Sequence, residues 1–398
     1  MARPLLMALD VRWLPRKLAV LALSTAWIVS AMVAGCRRDR DSAPASSSAP
    51  EAARRRAALA AARVWARPRT PPAQADLGTN TPGPGFIDAD TDVACDFQLQ
   101  PIGGTTPKFY CTTGDGDRVK VKYGADNPEI PAEVAASRLL AALGFAVDRM
   151  MLVRSVRCRG CPVFPAQALE CLQNGGPART CLQGASSTHV TTFEWPMIER
   201  PFPGDTVDGV GASNWAWFEL DAIDPAAGGS ARAEVDALRL IAVLIAHWDN
   251  KAENQRLVCP PGRRTPDGSC RSPIAVIHDL GATFGPLKLD LQNWSKAPMW
   301  SDEASCRVSM AALPFHGATF ADHAISEEGR RFALELLRPI SPGQMNRLFD
   351  SAGVGRFNAV LAAARRPESW TEVFMRKVDE IARVGPCPSA ADLHARGE

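Results

Sequence analysis

The 398-residue sequence has almost no surplus of charge of either sign. Its 45 Lys and Arg stand against 43 Asp and Glu, leaving a net charge of +2. That balance argues neither for nor against nucleic acid, and no nucleic-acid partner is expected. The chain shows no internal repeat, so it is not read as a stacked-repeat array. It also has no second, tightly spaced cysteine pair to follow Cys158 and Cys161, and therefore lacks the second knuckle of a zinc ribbon.

What is present begins with cysteine. Cys36 stands apart from Cys95, Cys111, Cys158, Cys161, Cys171, Cys181, Cys259, Cys270, Cys306 and Cys387. An even set of ten spread over the folded region points to disulfides and an oxidising compartment. Buried free thiols or an isolated zinc site are the other readings. Cys95 and Cys111 could staple two neighbouring strands. Cys259 and Cys270 bracket a polar, Pro/Gly-rich insert that a disulfide would close into a hairpin. The pairing of the four cysteines from Cys158 to Cys181 stays open.

The N-terminus agrees with export. Arg12, Arg16 and Lys17 precede an apolar run over residues 18–35 that ends Val33-Ala34-Gly35-Cys36. This resembles a bacterial lipoprotein signal, in which residues 1–35 are removed and Cys36 is lipidated. An uncleaved membrane anchor is the other reading, since the run is nearly long enough to span. Either places the remainder outside the cytoplasm, in the periplasm or at the cell surface. Arg37 after the cysteine favours the outer membrane. Residues 36–90 are rich in Pro, Ser and Ala and read as a disordered tether with one short helix, EAARRRAALAAARVWAR.

Order is expected from residue 91. Strands are expected at 95–100, 108–113 and 118–124, the last two joined by a Gly114-Asp115-Gly116-Asp117 turn. Val119 and Val121 fall on one face of the third strand, Lys120 and Lys122 on the other. A helix follows, with Pro131 suited to its first position, Glu133 in its first turn and Gly144 past its end. MLVRSV reads as one strand, the Cys-rich stretch to 187 as a loop, and HVTTFEWPMIERPF as containing another strand. From Ala231 the chain turns helical: Val235, Leu238, Ala242 and Ile245 mark a buried helix that runs into His247. Ser341-Pro342-Gly343-Gln344 and Ser369-Trp370-Thr371-Glu372 both have capping-box spacing. Strands first and helices after give an α+β chain with a β-rich lobe over 91–200 and an α-rich lobe over 201–392.

The chemistry-bearing residues lie on this frame in order. Phosphoryl transfer needs phosphates held, a metal held and a nucleophile aligned. Gly103-Gly104-Thr105-Thr106 is a turn between two strands, able to offer backbone N–H groups to phosphate. Lys122 on a strand precedes Glu133 on a helix, with Lys120 and Glu129 as nearby alternatives. His247-Trp248-Asp249 follows the buried helix, and Asn254 lies five residues beyond the aspartate. Asp279-Leu280-Gly281 ends the apolar run Ile274-Ala275-Val276-Ile277.

In that order the parts resemble the protein-kinase-like superfamily, in particular its atypical branches: HipA-type, phosphoinositide and secretory-pathway kinases. Lys122-Tyr123-Gly124 is similar to the K-x-G of phosphoinositide kinases. The resemblance implies a bilobal fold that binds ATP or another nucleotide with Mg²⁺ (or Mn²⁺) and transfers phosphate to a protein or small-molecule hydroxyl. It implies Asp249 as the catalytic base and Lys122, held by Glu133, as the phosphate-binding lysine. Gly103, Gly104 and Thr105 would form the phosphate loop, and Asn254 and Asp279 would be the metal ligands. Residues 197–199 fall where an adenine-binding hinge would lie. The sequence departs from the common pattern in having GGTT rather than G-x-G-x-x-G, Trp248 in place of an arginine, no A-P-E motif, and a long gap between Asn254 and Asp279. These departures leave two rivals: a catalytically silent envelope-binding lipoprotein on the same fold, and a metal-dependent phosphohydrolase built on His278-Asp279 with His247 and Asp249.

Overall fold

Val119 and Val121 are fully buried on one face of a strand whose other face carries Lys120 and Lys122. That strand belongs to a seven-stranded sheet in the computed structural model, which describes residues 49–397 apart from 208–213, 287, 312, 314–316 and 358–361. Cys36, the expected signal and the first part of the expected tether lie outside the described residues. The elements of the first half are α1 (Ala49–Ala60), β1 (Asp92–Gln98), β2 (Lys108–Thr113), β3 (Arg118–Lys122), α2 (Glu129–Leu143), β4 (Arg149–Leu152), β5 (Ser155–Arg159), α3 (Pro165–Gln173), α4 (Ala178–Cys181), β6 (Val190–Glu194) and β7 (Met197–Arg200). The sheet order is β4-β7-β3-β2-β1-β5-β6. Then come β8 (Asp205–Thr206), α5 (Arg232–Leu244), β9 (Gln255–Cys259) and β10 (Ile274–Ile277). The C-terminal helices are α6 (Leu291–Lys296), α7 (Glu327–Leu337), α8 (Pro342–Ser351), α9 (Val354–Phe357), α10 (Pro367–Arg383) and α11 (Ala390–Ala395). The chain is α+β, strand-rich first and helix-rich after.

One face of the sheet gathers Phe109, Val119, Val121, Met151, Val156, Phe193 and Ile198 into a small core. The other face, through Met150, Leu152 and Met197, joins α2 and the later helices in the main core. The alternation of neighbours such as Met150 and Met151 between the two cores follows from the period of two in a strand. Helix α2 begins at Glu129, two residues before the expected Pro131, with the Asn127 carboxamide oxygen accepting from Glu129 N at 3.1 Å. Pro131 fits inside the first turn because its missing N–H would find no intrahelical partner there. Gly144 ends the helix at φ 92°. Any side chain at Gly144 would collide with Ala66 O, 2.3 Å from the ideal Cβ position.

Several expectations are corrected. MLVRSV is two strands, not one: β4 pairs with β7, while β5 crosses to the far side and pairs in parallel with β1. HVTTFEWPMIERPF is likewise split into β6 and β7 at Trp195, whose φ is 51°. The Cys-rich stretch holds α3 and α4 rather than only loop. The described part of residues 36–90 is not a disordered tether: Ala62, Val64 and Leu77 are buried in the main core. Its polar backbone is satisfied from outside, as where Gln344 Nε2 donates to Pro72 O and Ala75 O, each at 2.9 Å. A low-complexity composition therefore docks because distant groups supply the hydrogen bonds that its own sequence does not. The Ser341–Gln344 capping box forms, but α10 starts at Pro367, so Ser369 lies inside the helix instead of capping it.

Ten cysteines make five disulfides: Cys95–Cys111, Cys158–Cys161, Cys171–Cys181, Cys259–Cys270 and Cys306–Cys387. The CxxC pair is thus a disulfide and not half of a zinc site. Five such bonds belong to an oxidising, extracytoplasmic environment. No described helix is long and apolar enough to cross a membrane. Cys306 and Cys387 are 81 residues apart, and Cys158 and Cys161 only three. On the loop-entropy model, removing the long closure costs about 4–5 kcal/mol and the short one about 2 kcal/mol. Thermal denaturation of paired Cys→Ser variants is expected to show the larger fall for Cys306/Cys387. Equal falls would contradict that ordering.

Candidate active site

Lys122, the last residue of β3, is 1 % exposed. Its Nζ lies 2.5 Å from Glu133 Oε1, 3.4 Å from Glu129 Oε2 and 3.7 Å from Asp279 Oδ1. Glu129 and Glu133 are one helical turn apart on α2 and so share a face. They act together and are not alternatives. Glu129 is also ion-paired with Lys288, in the loop after Asp279. Lys120 is engaged elsewhere: it pairs across the sheet with Glu199, 2.6 Å away.

Burial opposes every charge in this group. For Lys122 it is outweighed by Glu133, Asp279 and Glu129, which hold the ammonium well above the usual lysine range. Burial also resists ionisation of Asp279, yet Lys122 and the N–H of Gly281, 3.1 Å from Oδ1, keep its carboxyl well below the usual range. Glu133, wholly enclosed, is pushed well above its ordinary value by burial, with Asp279 adding to the effect. Three carboxyls face one ammonium: Glu129 and Asp279 keep their charge, and Glu133 is the one that resists it.

Helix α5 delivers the second set of residues. Ala246 turns at φ 50°, and His247 N closes back on Ala242 O at 2.9 Å. His247 is 1 % exposed and packs beside Trp217, ring centroids 5.8 Å apart. Burial lowers its pKa to about 4, so it is a neutral packed ring at ordinary pH. Asp249 follows, 21 % exposed at its side chain and 3.4 Å from Lys251 Nζ. Burial raises its pKa, against the pull of Lys251. Asn254 ties the two sets together. Its Nδ2 donates to Asp249 O at 2.7 Å, and its own carbonyl accepts from His278 N at 2.9 Å and Asp279 N at 3.2 Å. The long sequence gap is closed by antiparallel β9 and β10, in which Gln255 lies opposite Ile277. The Cys259–Cys270 disulfide holds the far end of that pair.

Asn254 and Asp279 both offer hard oxygen donors, and the Asp279 side chain keeps 33 % exposure. An ionised carboxylate and a carboxamide on two residues joined by a backbone hydrogen bond suit Mg²⁺, which takes few protein ligands and keeps several waters. The Gly103-Gly104-Thr105 loop joins β1 to β2. Gly104 adopts φ 83°, a conformation that favours glycine, and its ideal Cβ position is 2.8 Å from Lys108 Nζ. Next in the loop, the Thr106 side chain hydrogen-bonds Glu129.

His278 turns away from Asp279. Its Nδ1 pairs with Asp148 and lies 3.8 Å from Glu199 Oε1. Asp148, Glu199 and His278 place ligand atoms within 4.8 Å of one another. However, Arg256 sits 2.5 Å from Asp148 and Lys120 2.6 Å from Glu199, so basic side chains already balance both carboxylates. With His278 and Asp279 diverging at a strand end and His247 packed, the His-Asp pair does not form one metal cradle.

Sequence reasoning missed Lys108, Lys288 and Asp148. Lys108 had a signal, because the Gly114–Asp117 turn sets a register in which Lys108 faces Lys122. Lys288 and Asp148 lie in connecting segments where no periodicity marks a side chain. No known protein-family model matches this chain, and no curated protein matches it. Among solved structures, the Helicobacter pylori proinflammatory kinase CtkA is similar with a TM-score of 0.42 at 10 % identity, over 73 % of this chain and 95 % of that one.

Proposed function

We propose that the protein is an extracytoplasmic kinase of the atypical kind, anchored to the outer membrane through a lipid on Cys36. It transfers phosphate from a nucleotide to a protein or small-molecule hydroxyl. The observation that carries this reading is the Lys122 ammonium held between Glu133 and Asp279, with Asn254 linking the Asp279 turn to Asp249. Lys122 would hold donor phosphates, positioned by Glu133, and the Gly103-Gly104-Thr105 loop would cover them. Asn254 and Asp279 would hold Mg²⁺ or Mn²⁺, which when bound neutralises charge on the phosphate chain. Asp249, its carboxylate made more basic by burial, would accept the proton of the attacking hydroxyl. The hydroxyl oxygen forms the new bond to phosphorus, and the bond to the nucleoside diphosphate breaks.

The test is titration of the protein with ATP and Mg²⁺, followed by turnover. Binding that requires the metal, together with ADP release, supports the proposal. Wild-type protein that binds no nucleotide ends it. A second reading is favoured by the ion pair between Lys288 and Glu129, which pins the loop after Asp279 against α2. In that reading the protein binds nucleotide but is catalytically silent, and metal-dependent binding without any turnover would select it.

A further inference from the structure

Four lysines lie on or beside the β3–α2 and Asp279 segments, and three have carboxylate partners within ion-pair distance. Lys120 has Glu199, Lys122 has Glu133 and Asp279, and Lys288 has Glu129. Lys108 is different. It is 9 % exposed, and among the described residues no carboxylate reaches its Nζ. It opens β2 directly after the glycine loop and stands opposite Lys122 in the register of the hairpin. Its Nζ lies over Gly104, close enough that the Cβ of any other residue there would meet it at 2.8 Å. Burial and the neighbouring Lys122 and Lys120 depress its pKa, while Asp279 and Glu129 act on it only from a distance. A mostly buried lysine without a counter-ion is costly, and an anion that reaches its ammonium would complete it.

We infer that Lys108 and the Gly103-Gly104 turn form a second phosphate subsite, and that Lys108 makes affinity for the donor depend on its number of phosphates. The placement supports this. Lys122 has three carboxylates around it, so its charge is largely spent within the protein. Lys108 has none, and its whole charge is available to a polyanion lying between the turn and the Asp279 loop. The ligand class is a phosphate chain of two or more units, as in a nucleoside di- or triphosphate or inorganic tripolyphosphate. The inference rests on reading the cleft as a phosphate-donor site.

The experiment compares wild type with Lys108→Gln and Lys108→Arg, using AMP, ADP, ATP and inorganic tripolyphosphate as probes in the presence of Mg²⁺. Wild type is expected to bind more tightly with each added phosphate. Lys108→Gln is expected to lose about tenfold to a hundredfold in affinity for ATP and tripolyphosphate and little for AMP, with Lys108→Arg recovering part. Because the substitution removes a charge without a carboxylate partner from a mostly buried side chain, the unliganded Lys108→Gln protein should melt no lower than wild type. A lysine that merely packed the fold would show the reverse: a lower melting temperature and equal losses for all probes. In wild type itself, tripolyphosphate should protect Lys108 from an amine-directed reagent, a readout that does not depend on any variant folding. If ATP binds and turns over equally in wild type and Lys108→Gln, the subsite is wrong while the kinase reading stands. If tripolyphosphate binds in a Lys108-dependent way but no nucleotide does, the subsite stands and the nucleotide kinase reading falls.

Discussion

Asp279→Ala is expected to remove Mg²⁺-dependent nucleotide binding, whereas Asp249→Asn is expected to leave binding intact and lower turnover by about 10²–10⁴-fold. The asymmetry comes from the geometry. Asp279 is a charged carboxylate beside Lys122, so its loss would take away a proposed metal ligand and leave Lys122 with one carboxylate fewer. Truncating one member of a buried charge pair in a binding site costs about 2–5 kcal/mol. Asp249 makes no ion pair with Lys122, and in the proposed role it would act only when a hydroxyl must lose its proton. Its pKa is raised by burial, so turnover should fall on acidification at a pH above that of an ordinary aspartate. Lys251, 3.4 Å away, pulls in the opposite direction. Lys251→Met should therefore move that acidic limb to still higher pH. Calorimetric titration and a pH–rate profile measure both expectations. A profile unmoved by Lys251→Met, or full turnover in Asp249→Asn, would remove Asp249 from the role of base.

Lys122→Met is expected to be the most destabilising single substitution in the cleft, by about 3–5 kcal/mol. It leaves Glu133, 0 % exposed, beside Asp279 without the ammonium that both face. Adding Glu133→Gln should recover part of the loss, since the buried carboxyl that resists ionisation and no longer faces an ammonium is then gone. A double-mutant cycle by denaturant unfolding gives the coupling directly. The pH dependence has a definite sign. Glu133 has a raised folded-state pKa, so its contribution is complete below its unfolded value and is lost as pH rises through the folded value. Without Lys122 that raised value climbs further, and the variant should regain stability as pH falls from 7 towards 5. Asp279 behaves in the opposite way in wild type: its depressed pKa contributes stability above the unfolded value, and this is lost as pH falls through the folded one. Additive losses in the cycle, with no relief on acidification, would mean that Lys122 contributes packing and not charge.

The local features of the cleft were written into the sequence. The period of two in Arg118–Lys122 placed Lys122 opposite Val121, and the Gly114–Asp117 turn set the β2–β3 register. Gly144 marked the end of α2, and the apolar spacing of Val235 to Ile245 carried the chain to His247. Each of these depends on neighbours a few residues away, through strand pleat, turn conformation or helical repeat. The tertiary structure alone decided what depends on distant partners. Ala62, Val64, Ala75 and Leu77 are buried because the main core receives them, with Gln344 bonding the backbone beside them. Residues 149–159 divide into two strands because β7 and β1 compete for them from different parts of the sheet. Glu129 joins Glu133 at Lys122 because α2 starts earlier than its proline suggested. Asn254 meets Asp279 because β9 and β10 pair across a disulfide-closed insert. Among the described residues Lys108 has no carboxylate within ion-pair distance, while Glu129, Glu133 and Asp279 face Lys122 and Lys288. Local periodicity cannot carry that information, since charge pairing and strand order are settled by the energy of the whole packed chain.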